Sequence, residues 1–436
     1  MKLNVIKLAK WTGWTVIGLV AIYVAALLIT GAKLRNAQAD IEAAGCSTRS
    51  EQVIPPPVDD TNNAALLYQA AVLRLKAESV NGTSLFKQLN NLSPKSYADS
   101  GASSNSNALA QLLGNATVIE ALRLVEAGAA RPACRYDLEY DRGFEMRVPH
   151  VTDLLSLSRI LSGSMRLDAA RGDTAAVWRT AETALSLSDA LKSEPILISC
   201  VVRASQTWMT CEAIRAVCGI TPPGDQVREQ LDGIIARMES SSSLSLALDG
   251  ERVLGSEKGF DHIASGKKEP LVSLDDIPKF AVYVMRFPPL FQYDRTIYRR
   301  SMLEFRNRST RPTWEMVSAD VNQPMDNRIP RLCILSRMVI PCIDGLFSKE
   351  VERITSLRLT RAALAVTAYR QKTGVWPKDL VAAGCGALID PFTGKPMIYR
   401  LTDQGPAVYS IGGDLKDDGG KIWDRTTRKG DLVWQP

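Results

Sequence analysis

No position from Trp11 to Ala32 is charged, and the run reads Trp14-Thr-Val-Ile-Gly-Leu-Val-Ala-Ile-Tyr-Val-Ala-Ala-Leu-Leu-Ile29 at its centre. About 20 helical residues cover the roughly 30 Å of a bilayer's hydrocarbon layer, so the pattern predicts a transmembrane helix over 11–32. Beyond it the apolar positions fall at helical spacing rather than in alternation. Ala64, Leu67, Ala71 and Leu75 predict a helix over 63–79, and a second helical run covers 105–130. Leu154, Leu157, Ile160, Leu161 and Leu167 mark a helix that Arg171-Gly-Asp173 turns back on itself. Trp178, Ala181, Ala184, Leu185 and Leu191 mark its partner, and a third helix begins after Pro195. Gly172 to Leu187 has the look of the second helix of a tetratricopeptide (TPR) hairpin. With one such match and no 34-residue period, the expectation is TPR-like packing rather than a repeat array.

Further along, Pro222-Pro-Gly-Asp225 starts a helix running through Met238. The pattern then breaks up between Gly255 and Pro330. It returns over 348–371, where Leu359, Ala362, Ala363 and Val366 give an i, i+3, i+4, i+7 stripe that Lys372-Thr-Gly374 ends. The last stretch changes period. Asp390-Pro-Phe-Thr-Gly394 predicts a turn, 395–401 and 407–412 predict two strands of a β-hairpin, and Gly413 to Gly420 is an acidic loop. The expected fold is mainly α: a transmembrane helix, a TPR-like hairpin body and a small C-terminal α+β unit with a β-hairpin. The division is a basic cytoplasmic tail 1–10, the span 11–32, a stalk 33–61 held extended by Pro55-Pro-Pro57, a helical extracytoplasmic domain 62–343, and the C-terminal unit 344–436.

Charge sets the orientation. Lys2, Lys7 and Lys10 precede the span, while Lys33 and Arg35 follow it and Asp40 and Glu42 come next. With the amino terminus counted, the expectation is a single-pass protein of the inner membrane, N-terminus in the cytoplasm and bulk outside. Ala37-Gln-Ala39 has the form of a signal-peptidase site and Ala43-Ala-Gly-Cys46 that of a lipobox. Both lie beyond charges, so an uncleaved anchor is expected. The net charge of +6 is spread along the 436 residues and leaves no nucleic-acid footprint, so no nucleic-acid partner is expected. Aromatic content of 6% suits Ala/Leu-rich helices.

The candidate chemistry is sparse. The chain has two histidines, His150 and His262, which excludes zinc sites built on several imidazoles and obliges any Ser-His-Asp triad to use one of the two. The eight cysteines form no C-x-x-C, and buried thiols serving as small apolar residues explain them as well as disulfides do. Ser84-Leu-Phe-Lys87, Ser103-Ser-Asn105 and Lys372-Thr-Gly374 reproduce in order the motifs of penicillin-binding proteins, but the third ends a helix where a core strand is required. Arg286, Arg295, Arg299, Arg300, Arg306, Arg308 and Arg311 interleave with Phe287, Phe291, Tyr293, Tyr298 and Phe305. That mix fits either an anion-binding surface or arginines packed over helices and paired with Asp294 and Glu304. Asp275-Asp276 reads as a surface pair.

The C-terminal stretch resembles the C-terminal half of the major pseudopilin of type II secretion systems. The residues that carry the likeness are Ala368-Tyr369-Arg370, Gly374-Val-Trp-Pro377, Asp390-Pro391, Tyr399 and Tyr409-Ser-Ile-Gly412 with the acidic loop after it. In that family the loop binds calcium, which the resemblance carries to Asp414, Asp417 and Asp418; an oxygen-only set suits a hard cation. The chain departs from the family in its long body, in lacking the N-terminal Gly-Phe-Thr-Leu-x-Glu processing motif, and in having no Glu inside the span. The whole layout resembles an uncharacterised family of single-pass bacterial envelope proteins, a likeness that names no activity. The leading expectation is a non-enzymatic envelope scaffold that binds another envelope protein. The alternatives are a wall-polymer hydrolase using paired carboxylates, or a secretion or pilus-like accessory with a calcium-binding loop.

Overall fold

A computed structural model describes residues 2–93, 103–265, 287–317, 328–403, 405–424, 427 and 429–436. It is mainly helical, with one N-terminal helix long and apolar enough to cross a membrane and a small antiparallel sheet near the C-terminus. That helix, α1 (Lys2–Ala43), leaves Trp11, Trp14, Ile17, Leu19 and Ile22 exposed, as a lipid-facing segment must.

The helix does not stop where the charges begin. Ala37 and Ile41 are fully buried against the body, and helix α2 (Ser50–Val53) follows. Asp249 accepts the Ser47 N–H, Arg252 donates to the Ser47 carbonyl, and Arg135 Nε donates to the Pro55 carbonyl at 3.1 Å. Val53 packs with Tyr140, Val253 and Leu254. Within the segment 33–61, expected as a stalk, Ala37, Ile41 and Val53 thus pack on the body, and the stretch through Pro55-Pro-Pro57 has no helix or strand.

The body is built from helix pairs. Asn63 caps α3 (Ala64–Ala77) by accepting the Ala65 N–H. A two-residue hairpin, β1 (Ser79–Val80) with β2 (Thr83–Ser84), leads into α4 (Leu85–Leu92). The run expected over 105–130 is two helices, α5 (Ser103–Leu113) and α6 (Ala116–Ala129), bent by 77°. Asn115 causes the break, because its side chain accepts the N–H groups of Thr117 and Val118 and so starts a new helix after Gly114. α3 lies so close to α6 that a Cβ at Gly128 would sit 2.7 Å from the Tyr68 ring.

The expected hairpin is present as α7 (Pro149–Ala170) and α8 (Thr174–Ser188), joined at Gly172 with φ +76° and capped by Asp173. α9 (Leu197–Cys218) closes a three-helix unit with them, and α10 (Asp225–Ser240) follows. α11 (Leu244–Gly250) runs through a π-helical turn, Glu251–Ser256, into α12 (Glu257–Ser265). Where the sequence pattern broke up, the structure has α13 (Pro288–Arg308), a regular helix lying along α1, then the single turn α14 (Thr313–Met316).

α15 (Ile334–Thr373) is longer than its stripe predicted and includes Pro341 near its start. It is a continuous helix across the boundary placed at 343/344, packs along α9, and ends at Gly374 with φ +78°. The sheet has three strands in the order β3 (Ile398–Thr402), β4 (Gly405–Ser410), β5 (Leu432–Trp434), all antiparallel. The first two are the expected hairpin. The third pairs Val408 with Trp434 and Ser410 with Leu432, and its three residues are too few to show a period. Asp390 fixes the preceding turn: its carboxylate accepts from Phe392 N, Ser410 Oγ and Ile411 N.

Candidate functional site

Three elements meet at an open cleft of about 1080 Å³: the C-terminal half of α9, the C-terminal half of α15, and the segment that ends in β5. Four of the eight tryptophans line it, Trp208, Trp376, Trp423 and Trp434. Trp208 comes from α9, Trp376 from just beyond the glycine cap of α15, and the other two from the last strand and its approach. Trp208, Trp376 and Trp423 are half-buried, each showing part of its ring to the cleft, whereas Trp434 is packed away. Ile220 and Ile422 stand at the rim, 68% and 67% exposed.

At the floor is Arg215, 8% exposed. Its Nη1 donates to the Ser356 carbonyl, Ser356 Oγ and Thr360 Oγ1, all at 3.0 Å, which ties α9 to α15. Its own carbonyl accepts from Trp434 Nε1 at 3.4 Å, which ties β5 to α9. Among the described residues no carboxylate lies within ion-pair distance of this guanidinium, although other buried arginines have such partners. Arg203 pairs with Asp189 at 2.6 Å and Arg353 with Glu350 at 2.8 Å. Burial pulls the Arg215 pKa down, with Cys211 and Glu212 pulling the other way. Trp208 Nε1 is a buried donor with no hydrogen-bond partner among the described residues. Arg370, which also lines the cleft, lies 3.9 Å from the centroid of the Trp376 ring and holds the indole in place.

Glu212, Asp424 and Asp431 also border the cleft. Asp431 is fully buried, accepts from the backbone N–H groups of Asp418 and Gly420, and has its pKa raised by burial. Indole faces, a buried cation and a few fixed polar groups are the composition of a binding site: large apolar contact for affinity, sparse polar groups for orientation.

The acidic loop is organised by its own turns. Asp414 accepts from Lys416 N; Asp417 accepts from Gly419 N and from Tyr409 Oη and lies 3.6 Å from Arg400; the Asp418 N–H donates to Asp431. Among the described residues no group of three acidic, His or Cys side chains converges as a metal would need, so Asp414, Asp417 and Asp418 are not brought together.

The other constellations resolve into packing. Ser84 caps α4, Ser103-Ser-Asn105 lies in α5, and Lys372 pairs with Asp225 at 2.7 Å. His150 Nε2 meets Glu194 Oε1 at 2.8 Å, and Ser199 Oγ donates to Glu194 Oε2 at 2.6 Å, with Tyr136 stacked on the imidazole at 4.0 Å. The carboxylate stands between hydroxyl and imidazole, so the serine hydroxyl donates its hydrogen bond to the glutamate and not to the histidine. Arg295 and Arg299 fork onto Glu257, Arg306 reaches Asp249, and Arg308 donates to the Met316 carbonyl over the Phe347 ring. These arginines hold helices together, but through Glu257 and Asp249, not the expected Asp294 and Glu304; Asp294 instead accepts from the Leu335 and Ser336 N–H groups, and Glu304 faces Arg328. Arg286 and Asp275-Asp276 lie outside the described residues. Among the described side chains seven cysteines carry free thiols, and burial pushes Cys200 to about 11 and Cys218 to about 12, so both stay protonated.

Sequence reasoning did not find the cleft. Trp376 was noticed for its place after a helix end, but nothing along the chain relates it to Trp208 or Arg215. No family model, curated protein or solved structure matches the chain, so the functional reading rests on these residues.

Proposed function

We propose that this is a membrane-tethered, extracytoplasmic binding protein of the bacterial envelope, which holds an extended segment of another envelope protein in the indole-lined cleft. The observation that carries the reading is Arg215, a buried cation with no carboxylate at ion-pair distance among the described residues, at the floor of a site walled by Trp208, Trp376 and Trp423. Desolvating a cation costs several kcal/mol unless charge or hydrogen bonds offset it. A ligand carboxylate would supply the missing charge while its apolar side chains cover the indoles. Tryptophan and arginine are also the residues that dominate protein interfaces. The N-terminal anchor and its basic leader support the compartment, with the N-terminus in the cytoplasm and the body outside.

The test is site-specific photo-crosslinking in cells from Ile220 and Ile422 at the rim, with exposed Leu73 on α3 as the control. Both rim positions are expected to capture the same partner, Leu73 none, and Trp376→Ala with Trp423→Ala to cut the yield at least tenfold. Yield unchanged by loss of the indoles, or no product from the rim, overturns the reading.

A second reading has one observation in its favour. Three acids border the cleft, one of them with its pKa raised by burial, which is the ingredient list for a wall-polymer hydrolase. Release of reducing ends from purified cell-wall sacculi, abolished by Asp431→Asn, would establish it and displace the binding-only proposal.

A further inference from the structure

α13 runs beside α1 in the same direction, and three contacts fix the register. Tyr23 and Phe287 rings meet at 5.6 Å, Thr30 Oγ1 donates to Gln292 Oε1 at 2.7 Å, and Arg299 Nη1 reaches the Leu34 carbonyl at 3.5 Å. Numbers rise together along both helices, so the N-terminal end of α13 points back down the anchor.

Tyr23 lies nine residues before Ala32, where the uncharged run ends. At 1.5 Å per residue Phe287 stands about 13 Å inside that run. The residues that follow it match the level, whereas the one before it is the charged Arg286. Phe287-Pro-Pro-Leu-Phe-Gln-Tyr293 carries no charge, and the first charged residues of α13, Asp294 and Arg295, come where α1 reaches Lys33. Phe287 is 45% exposed, and Leu290 and Phe291 are half-buried.

From this register we infer that the first turns of α13, Phe287 to Gln292, are embedded in the hydrocarbon of the leaflet nearest the body, beside the anchor. A helix end in lipid has to dispose of its free backbone N–H groups. Pro288 and Pro289, the first two residues of α13, have none to dispose of. The Gln292 amide, polar at this depth, bonds the Thr30 hydroxyl, the kind of interhelical pair that membrane interiors use. The body is therefore seated by two parallel apolar segments, one spanning and one dipping, which fixes its tilt and rotation on the membrane.

The test is spin-label depth measurement on the full-length protein in phosphatidylethanolamine/phosphatidylglycerol vesicles. Single labels are placed through Phe287→Cys and Leu290→Cys, with Leu19→Cys in the anchor and exposed Arg300→Cys as lipid and water references; labelled wild type sets the background from native thiols. Labels at 287 and 290 are expected to collide with oxygen at least threefold more than with a water-soluble nickel chelate, as at 19, and the reverse at 300. A water-like ratio at both positions overturns the inference. So does low collision with both reagents, which would mean a protein surface covers them. Two positions guard against one variant failing to fold, and neither result depends on what the cleft binds.

Discussion

Glu251 shows how a single side chain sets a pH dependence. It opens the π-helical turn, accepts from Ser256 Oγ at 3.4 Å, and is pushed by burial from the usual 4.5 to about 7. Below about pH 4.5 it is protonated in folded and unfolded chains alike and costs nothing. Between pH 4.5 and 7 the unfolded chain ionises first, so stability falls as pH rises, and above 7 the loss is complete. Glu251→Gln is expected to leave the thermal midpoint unchanged at pH 4 and to raise it at pH 8, by at most about 3 kcal/mol of stability. Equal gains at both pH values would mean that packing, not ionisation, was responsible. The buried ion pairs belong to the same scale. Arg353 and Glu350 sit side by side with almost no exposure; burial opposes both charges, and each restores the other's. Their i, i+3 spacing on a helix is ordinary, so the sequence marks them as a surface pair.

At the scale of elements, the helices legible in the sequence were those with one wet face. α7, α8 and the start of α9 follow their apolar stripes because each buries one side against the others. α13 is hidden in the sequence because five arginines and several aromatics blur its period; in the fold Glu257 and Asp249 receive guanidinium groups from it. The split between α5 and α6 was visible only as Gly114-Asn115, a pair that either passes through a helix or breaks it. The π-helical turn had no signal at all. Its neighbour Gly250 is packed so tightly that a Cβ would lie 1.9 Å from the Pro195 carbonyl oxygen. Gly250→Ala is expected to destabilise the body by about 3 kcal/mol, the upper end for overpacking, because backbone cannot swing aside as a side chain does. A midpoint within 1 °C of wild type would show that the junction between α11 and the π turn is looser than its geometry indicates.

For the whole molecule, the C-terminal unit is joined to the body by many contacts. α15 lies along α9, Arg215 bridges them, Trp434 of β5 bonds back to α9, and Arg358 and Arg361 pair with Glu239 and Asp232 of α10. The fragment 344–436 is therefore expected to show no cooperative urea transition alone, since much of its apolar surface is completed by α9. A sharp transition in the isolated fragment would restore the boundary read from the sequence. The same joint makes the cleft, which exists only because a helix from the middle of the chain and a strand from its end are held together at Arg215.

What the sequence determined by itself was local: an uncharged stretch long enough to cross a bilayer, amphipathic stripes, turn chemistry at Arg171-Gly-Asp173 and Asp390 to Gly394, and a change to strand near the end. Each follows from neighbours along the chain, where propensity and periodicity act. The tertiary structure decided which charges are satisfied and which cation is left over, which tryptophans share a cleft, and at what depth α13 lies beside α1. Those depend on distances between residues far apart in sequence, and burial gives them their energies by excluding water once the helices are packed.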